Sequence, residues 1–257
     1  MVERGLTLTP QLAASFKTEL VGIFPKGYVS MLVGEPAAGK TWFMLSMCRG
    51  IADGDMGLGD PLRYKQGKAV ILAGETGVGL LCTRYKELGF PRHPENIIVF
   101  SAAMCTGEDT LSLDTERGIA NLTEILTELT PEVLFVDTLI SFCAGDESDI
   151  KLMADPVKRL TVVAQKTKTA IVLCHHFRKK KQGISTGLTL SEVIGTSAFT
   201  RLAAMIAGIS VDGDCRTVQC LKSWWKPFQK FDFILKNVPT GLYITCSQWI
   251  ERKEVKL

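Results

Sequence analysis

The sequence lacks the features of secreted, disulfide-linked and membrane-spanning proteins. Its eight cysteines include no CxxC pair and no metal-ligand spacing, so we expect reduced, buried cysteines and a cytoplasmic protein. No stretch of about 18 apolar residues is free of charge, and we therefore expect no membrane span. The first residues, MVERGLTLTPQ, have no basic start followed by an apolar stretch, so no secretion signal is expected there.

The chain is also poor in net charge and in histidine. A formal net charge of +3 is too small to argue for or against binding to nucleic acid. Only three histidines occur, and two of them, His175 and His176, are adjacent. The third, His93, lies in a loop pattern and is interpreted as a surface residue. A chain of 257 residues is long enough for one large α/β domain with a substantial core.

Apolar runs alternate with helical patterns along most of the chain. The runs are nearly continuous and end at turn residues, which predicts buried parallel strands at 28–33, 68–73, 96–100, 132–136 and 169–174. Periodic patterns between them predict helices at Lys40–Ala52, Val78–Leu88, Asp114–Leu129 and Met153–Lys166. The alternation predicts an α/β fold with a mostly parallel sheet flanked by helices.

The two ends of the chain differ from this pattern. After about residue 200, the sequence reads as short strands with close turns, among them VDGD at 211–214 and NVPTG at 237–241. We expect these strands to extend the sheet in antiparallel fashion. Residues 1–27 are interpreted as an N-terminal arm with a short helix from Gln11 to Leu20, and residues 28–257 as the main domain.

The stretch GEPAAGKT fits the phosphate-binding pattern G-x-x-x-x-G-K-[ST]. It has a predicted strand before it and a predicted helix after it, as the motif requires. Glycines allow the backbone N–H groups to point at phosphate oxygens, and the helix adds its positive N-terminal end. Lys40 would reach the β- and γ-phosphates of ATP, and the Thr41 hydroxyl would ligate Mg²⁺. The predicted nucleotide-binding residues are Gly34, Glu35, Pro36, Ala37, Ala38, Gly39, Lys40, Thr41 and Trp42.

Polar residues at the ends of three other predicted strands complete the candidate site. Asp137 ends the strand EVLFVD, where a carboxylate lies in the ligand crevice of an open α/β sheet and would hold Mg²⁺ through water. Glu75 lies just past the second strand, and a general base there would face the γ-phosphate. His175 and His176 end the fifth strand, where one of them would bind a γ-phosphate oxygen.

In the order and spacing of these motifs, the chain resembles the RecA-type P-loop ATPases, and most closely the plasmid RepA-like hexameric replicative helicases of the AAA_25 type. The resemblance runs from about Phe24 to Leu235. It is carried by the segments GEPAAGKT, AGET with Arg84 downstream, VLFVDTLISF, LCHHFRK and IGTSAF.

The resemblance implies a RecA-like ATPase domain in which the histidine strand lies between the P-loop strand and the Asp137 strand. It implies that Glu75 activates water, that Asp137 handles Mg²⁺, and that His175 or His176 senses the γ-phosphate. It also implies ATP and Mg²⁺ as cofactors, and a homo-oligomer, most often a hexameric ring.

Two departures from the family pattern concern the neighbouring subunit's site. Ile194 precedes GTS where many relatives carry arginine, and Trp224 stands where the arginine of a Lys-x-Arg pair would be, although Lys222 matches its lysine. Lys226 or Arg201 are the candidates to supply that charge instead. Because such arginines contribute several powers of ten in rate, we expect slow hydrolysis or a different use of the neighbour.

The segment after the histidine strand suggests single-stranded DNA as the partner. It opens with four consecutive cations, Arg178, Lys179, Lys180 and Lys181, which would neutralise phosphates in a salt-dependent manner. A second segment, KSWWKPFQKF, places aromatic residues between lysines and is interpreted as either a base-stacking surface or a subunit interface.

The sequence leaves three functions open: a helicase-type motor on single strands, a filament-forming recombination or annealing ATPase, and a nucleotide-switched regulatory protein that does not translocate.

Overall fold

The computed structural model describes residues 9–10, 18–55, 62, 64–144, 150–176, 188–190, 197–238 and 241–246. In this part of the chain, a nine-stranded sheet has the order β11-β10-β9-β8-β3-β7-β6-β4-β5. Its strands are β3 (Val29–Gly34), β4 (Ala69–Ala73), β5 (Ile97–Ser101), β6 (Val133–Asp137), β7 (Ala170–His176), β8 (Met205–Asp212), β9 (Cys215–Ser223), β10 (Phe231–Val238) and β11 (Gly241–Cys246). The strands from β8 to β5 in this order are parallel, whereas β9, β10 and β11 each pair antiparallel with their neighbours. The predicted mostly parallel sheet with an antiparallel C-terminal extension is confirmed.

Helices cover both faces of the sheet. They are α1 (Lys40–Asp53), α2 (Val78–Leu88), α3 (Glu116–Leu129), α4 (Ile150–Thr167) and the short α5 (Ser197–Leu202). No helix in the described ranges is both long and apolar enough to cross a membrane.

The core forms two layers because successive strand residues point to opposite faces of the sheet. One layer packs α1 and α2 against the sheet and includes Phe43, Met44 and Phe135. The other packs α3 and α4 against the opposite face and includes Leu122 and Leu160. The antiparallel extension belongs to the first layer, since the Phe43 ring lies 5.7 Å from the ring of Phe233 on β10.

Residues 20–25, in the predicted arm, form a two-stranded ribbon of β1 (Leu20–Val21) and β2 (Phe24–Pro25). The predicted helix from Gln11 to Leu20 is therefore wrong at its end, because Leu20 pairs with Pro25 in this ribbon. The rest of that prediction falls mostly on residues 11–17, which lie outside the described part of the chain.

Two further expectations need correction. The third helix begins at Glu116 rather than Asp114, because the Thr115 hydroxyl caps it by accepting from the Gly118 amide. Asp114 instead accepts a hydrogen bond from the Ala144 amide and is held in the preceding loop. The seven described cysteines are free, as expected, but only Cys48 and Cys174 are buried and Cys82 is exposed.

Candidate functional site

The turn after β3 forms a concave set of backbone amides at the start of α1. Ala37 and Gly39 both have left-handed backbone, with φ of 62° and 95°. The first turn of α1 carries no side-chain cap and no acidic residue. Uncapped amides at a helix N-terminus bind anions, since the unsatisfied N–H groups and the helix dipole both favour negative charge. This turn therefore fits a phosphate group.

Lys40, the first residue of α1, is buried and folds back along the turn. Its Nζ atom donates to the carbonyl oxygens of Gly34 at 2.9 Å and Glu35 at 3.0 Å. Burial lowers the pKa of Lys40, while the neighbouring Cys174, Asp137 and Glu75 act in the opposite direction. An anionic ligand would offset this burial, because phosphate oxygens can replace the two carbonyl contacts with charge-assisted ones.

Thr41 and Asp137 meet across the site. The Thr41 hydroxyl donates to Oδ2 of Asp137 at 3.2 Å. Burial and the nearby Glu75 carboxylate raise the pKa of Asp137, whereas the Thr41 hydrogen bond, Lys40 and Arg84 lower it. The Asp137 carboxylate is thus buried next to another negative charge, and the nearby cations only partly compensate for it.

A magnesium ion fits this pair. Mg²⁺ in nucleotide sites is held by one or two protein oxygens together with phosphates and water, and Thr41 and Asp137 supply such oxygens. The described residues contain no cluster of three or more histidine, cysteine or acidic side chains that could hold a metal alone. Thr41 and Asp137 would therefore hold the ion in company with the nucleotide, where it would screen phosphate charge.

Glu75 lies on the loop after β4, and its backbone is anchored to β6. The amides of Gly74 and Glu75 donate to the Asp137 carbonyl at 2.8 Å and 3.3 Å. The Thr138 hydroxyl donates to Oε1 of Glu75 at 3.1 Å. The Glu75 side chain is 52% exposed, so its carboxylate can reach a water molecule in the pocket. This arrangement suits a general base that is oriented but not desolvated.

The two adjacent histidines point to opposite faces of the sheet. His176 lies on the face of Lys40, with Nδ1 at 3.3 Å from the lysine Nζ and Nε2 at 3.9 Å from Oε1 of Glu75. His175 is buried on the other face, beside Met31 and Leu139. The structure thus brings His176 to the candidate site and leaves His175 outside it.

The strand order explains how these side chains meet. β7 lies between β3 and β6, as the resemblance implied, so His176 ends next to the phosphate-binding turn. Gly34 pairs with His176 in register, and Ala73 of β4 pairs with Asp137. The parallel strands therefore deliver their C-terminal residues to one edge of the sheet, where ligands bind in open α/β folds.

A pocket of about 380 Å³ occupies this edge. Its lining contains Pro36, Ala37, Ala38, Gly39, Lys40, Thr41, Trp42, Glu75, Thr76, Arg84, Asp137 and His176. Sequence reasoning assigned no role to Thr76, Thr138 or Arg84. For Thr138, the sequence offered one indication of a role in the site, namely its position directly after Asp137.

The three candidates for a neighbour-facing charge lie at the opposite edge of the sheet. In the pairing of β8 with β9, Met205 faces Ser223, and Met205 also pairs with Ser30 near the start of β3. Lys222 and Lys226 therefore lie at or beyond the edge where the parallel strands begin, and exposed Arg201 precedes β8. None of them lines the nucleotide pocket of its own chain.

Lys222 already has partners within its own chain. Its Nζ atom donates to the carbonyl oxygens of Thr200, Arg201 and Ala203 at 2.5, 3.0 and 2.7 Å, and so caps the end of α5. Its ammonium also lies 5.3 Å from the ring centroid of Trp224, which is 52% exposed.

The other three aromatics of that segment are less available, and Phe231 is buried in the core. Trp225 packs edge-on against Tyr28, at 4.8 Å between ring centroids, and Phe228 packs against the core. The predicted DNA-binding residues Arg178, Lys179, Lys180 and Lys181, and also Ile194, lie outside the described part of the chain.

The fold and the site define a P-loop ATPase with a RecA-like core. Its phosphate-binding turn, the buried Asp137 beside Thr41, and Glu75 all face one pocket at the C-terminal edge of the parallel strands. The family model described as "AAA domain" (AAA_25) matches residues 17–182, well over half of the chain, and the chain belongs to this family. A comparison with curated proteins gives no match. The family supports nucleotide binding and hydrolysis, typically with Mg²⁺.

Proposed function

We propose that this ATPase is an oligomeric motor on single-stranded DNA, of the replicative-helicase type, and that it works as a hexameric ring. The observation that carries the proposal is the position of His176. It is the last residue of β7, it lies beside Lys40 and Glu75, and the cations 178–181 begin two residues further along the chain. Only one residue therefore lies between His176, which would respond to the γ-phosphate, and the cations 178–181, which would bind DNA phosphates.

The geometry supports the following chemistry. The amides of the turn and Lys40 bind the phosphates, while Thr41 and Asp137 hold Mg²⁺, which screens the charge of the transferred phosphoryl group. Glu75, oriented by the Thr138 hydroxyl, accepts a proton from the attacking water. The water oxygen then bonds to the γ-phosphorus as the bond to the bridging oxygen of ADP breaks.

His176 couples this reaction to the following segment. While the γ-phosphoryl group is present, the imidazole can donate a hydrogen bond to one of its oxygens. After the release of phosphate, that contact is lost and the end of β7 is free to rearrange. The cations that follow would then change their hold on the DNA backbone, whose binding should be strongly salt-dependent.

A nucleotide-switched regulatory protein is the second candidate, and one observation favours it. Lys222, which matches the lysine of the family's trans-acting pair, is occupied by three carbonyl oxygens of its own chain. With Trp224 in place of the arginine, the family's Lys-x-Arg pair is incomplete, and only Lys226 or Arg201 would be left to accelerate hydrolysis in a neighbour. Such a protein would bind ATP and turn it over slowly without translocating.

ATP hydrolysis with and without a single-stranded oligonucleotide tests the proposal. We expect stimulation at low salt, and we expect its loss when Lys179, Lys180 and Lys181 are replaced together by alanine. The slope of log affinity against log salt should also become shallower by about 2, since each single-strand phosphate contact contributes about 0.7. The matched control replaces the exposed lysines Lys65, Lys158 and Lys166 with alanine and should keep both properties.

Two further measurements separate the candidates. Strand displacement on a forked duplex, with Lys40→Ala as the inactive reference, distinguishes a helicase from a recombination ATPase. Light scattering with a non-hydrolysable ATP analogue measures the number of subunits. Absence of oligonucleotide stimulation at low salt would contradict the motor and favour the switch.

A further inference from the structure

The lining of the nucleotide pocket contains a hydroxyl to which the phosphate and magnesium contacts give no role. Thr76 directly follows Glu75 on the loop after β4, and both residues line the pocket. Thr76 is only 8% exposed. Because a buried hydroxyl without a partner loses its hydration and gains nothing in return, such groups are usually hydrogen-bonded. The side chain of Thr76 therefore needs an explanation.

The Thr76 hydroxyl has no hydrogen-bond partner in the described part of the chain, and it faces the pocket. The other two threonine hydroxyls of the site are engaged, that of Thr41 with Asp137 and that of Thr138 with Glu75. Unlike the unpaired hydroxyl of Ser30 on β3, the Thr76 hydroxyl is not sealed from solvent. Since protein covers the rest of the residue, the solvent that it meets is that of the pocket.

The neighbouring Glu75 carboxylate is engaged through one oxygen and leaves the other available. Its Oε1 atom accepts from the Thr138 hydroxyl at 3.1 Å and lies 3.9 Å from Nε2 of His176. Among the residues that the structure describes, none contacts Oε2 in this way. Because the Glu75 side chain is half-exposed, Oε2 can accept the proton of a water molecule in the pocket.

A carboxylate oxygen alone does not orient an attacking water. A water molecule held by one hydrogen bond can rotate about that bond, so its lone pair is directed at the γ-phosphorus only part of the time. A second acceptor, for its other hydrogen, removes this freedom and holds the reactive geometry. The Cα atoms of consecutive residues are about 3.8 Å apart, so the side chains of Glu75 and Thr76 can contact the same water in one pocket.

We propose that Thr76 is a catalytic residue whose hydroxyl oxygen accepts one hydrogen of the attacking water, while Oε2 of Glu75 accepts the other. Glu75 takes its proton as the water oxygen bonds to the γ-phosphorus and the bond to the bridging oxygen of ADP breaks. The hydrogen held by Thr76 stays on that oxygen and leaves with the phosphate product, so Thr76 neither gains nor loses a proton. This inference rests on the proposed role of Glu75 in hydrolysis and not on the proposed action on DNA.

Thr76→Val tests the hydroxyl separately from the shape of the side chain, because valine has nearly the same size as threonine. Single-turnover hydrolysis at saturating ATP should slow about 10-fold, near the upper end of what one neutral hydrogen bond contributes. Thr76→Ser keeps a hydroxyl and should retain most of the rate. The matched control is Thr83→Val on α2, where the exposed hydroxyl donates to the Gly79 carbonyl, and this variant should hydrolyse ATP at the wild-type rate.

Two nucleotide analogues distinguish orientation of the water from a structural role. ADP with aluminium fluoride reproduces the in-line arrangement of water and transferred group, and Thr76→Val should bind it about 10-fold more weakly than wild type. A fluorescent, non-hydrolysable ATP analogue should bind both proteins equally, because the phosphate and Mg²⁺ contacts are unchanged. Equal losses of affinity for the two analogues would show a ground-state or structural role and would overturn the proposal.

The remaining outcomes separate this proposal from the ATPase mechanism. A wild-type rate in Thr76→Val, together with lost turnover in Glu75→Gln, would overturn the role of Thr76 and leave the general base in place. Wild-type turnover in Glu75→Gln would contradict the base and this inference together. If Thr76→Val does not fold, Thr76→Ala and Thr76→Ser decide the question. A loss confined to the alanine variant supports the hydroxyl, whereas equal rates in the two variants contradict it.

Discussion

Nδ1 of His176 lies 3.3 Å from Nζ of Lys40. An ammonium group can only donate, so in a neutral His176 ring Nδ1 is the acceptor toward Lys40 and Nε2 carries the proton. Nε2 is also the nitrogen nearer to Glu75, at 3.9 Å from Oε1. The ring thus presents its N–H toward the side of the pocket where water and the γ-phosphate would meet.

Replacing His176 with alanine should reduce kcat about 100-fold, the lower end of what a positioned proton donor contributes. Steady-state hydrolysis and ATP binding check this prediction, with affinity expected to change little. His175→Asn should lower the melting temperature without a comparable loss of kcat, because His175 lies on the other face of the sheet. The reverse pattern would assign the sensor role to His175.

Glu75→Gln should retain ATP binding and lose turnover, because glutamine cannot accept the proton of the attacking water. Thr138→Val removes the hydroxyl that donates to Glu75 and should slow turnover by a smaller factor, about 10-fold, through misorientation of the carboxylate. Quench-flow hydrolysis measures both. The exposed Glu87→Gln on α2 is the matched control, and turnover in Glu75→Gln equal to wild type would move the base elsewhere.

Asp137→Asn should abolish Mg²⁺-dependent hydrolysis and at the same time stabilise the ligand-free protein. Burial and Glu75 raise the pKa of Asp137, so the ionised carboxylate opposes folding at neutral pH. This penalty is fully present above the folded-state pKa and disappears as the pH falls below the unfolded-state value. Thermal melting should show an increase of about 2 °C or more at neutral pH and a smaller increase in acid. An unchanged or lower melting temperature would contradict the raised pKa.

Lys222→Met should destabilise the fold by about 1–2 kcal/mol, because it leaves the end of α5 without its cap. Denaturant unfolding measures this loss, and the exposed Lys226→Met is the control.

Trp224→Arg tests whether this segment reaches the nucleotide site of a neighbouring subunit. If that edge faces a neighbour's nucleotide, this variant should hydrolyse ATP faster in the assembled state and not at dilutions where the chain is monomeric.

Most helices and strands of the main sheet were predictable because each of them carries a local signal in the sequence. The range of α2 agrees with the prediction at both ends, and β3, β4 and β6 agree within a residue at each end. The site was predictable at Gly34–Thr41 because a contiguous motif encodes it. The resemblance supplied the strand order, which local patterns do not contain.

Other parts of the site depend on contacts between residues far apart in sequence. The face on which each histidine lies depends on the register of β7 against β3, and a shift of one residue would exchange His175 and His176. Arg84 meets Trp42 only because α2 packs beside α1. The ring of contacts around Lys222 depends on α5, a helix of six residues that has no strong periodic signal.

The strand that carries the phosphate-binding turn has both of its sheet partners far downstream, at β7 and β8. On the ribosome, residues 29–34 therefore remain without a lateral hydrogen-bonding neighbour until well over a hundred later residues have been synthesised. An apolar strand left open for that long is prone to aggregate. We infer that nascent chains of this protein become able to retain ATP only after β7 and β8 have been synthesised, and that chaperone demand is concentrated before that point.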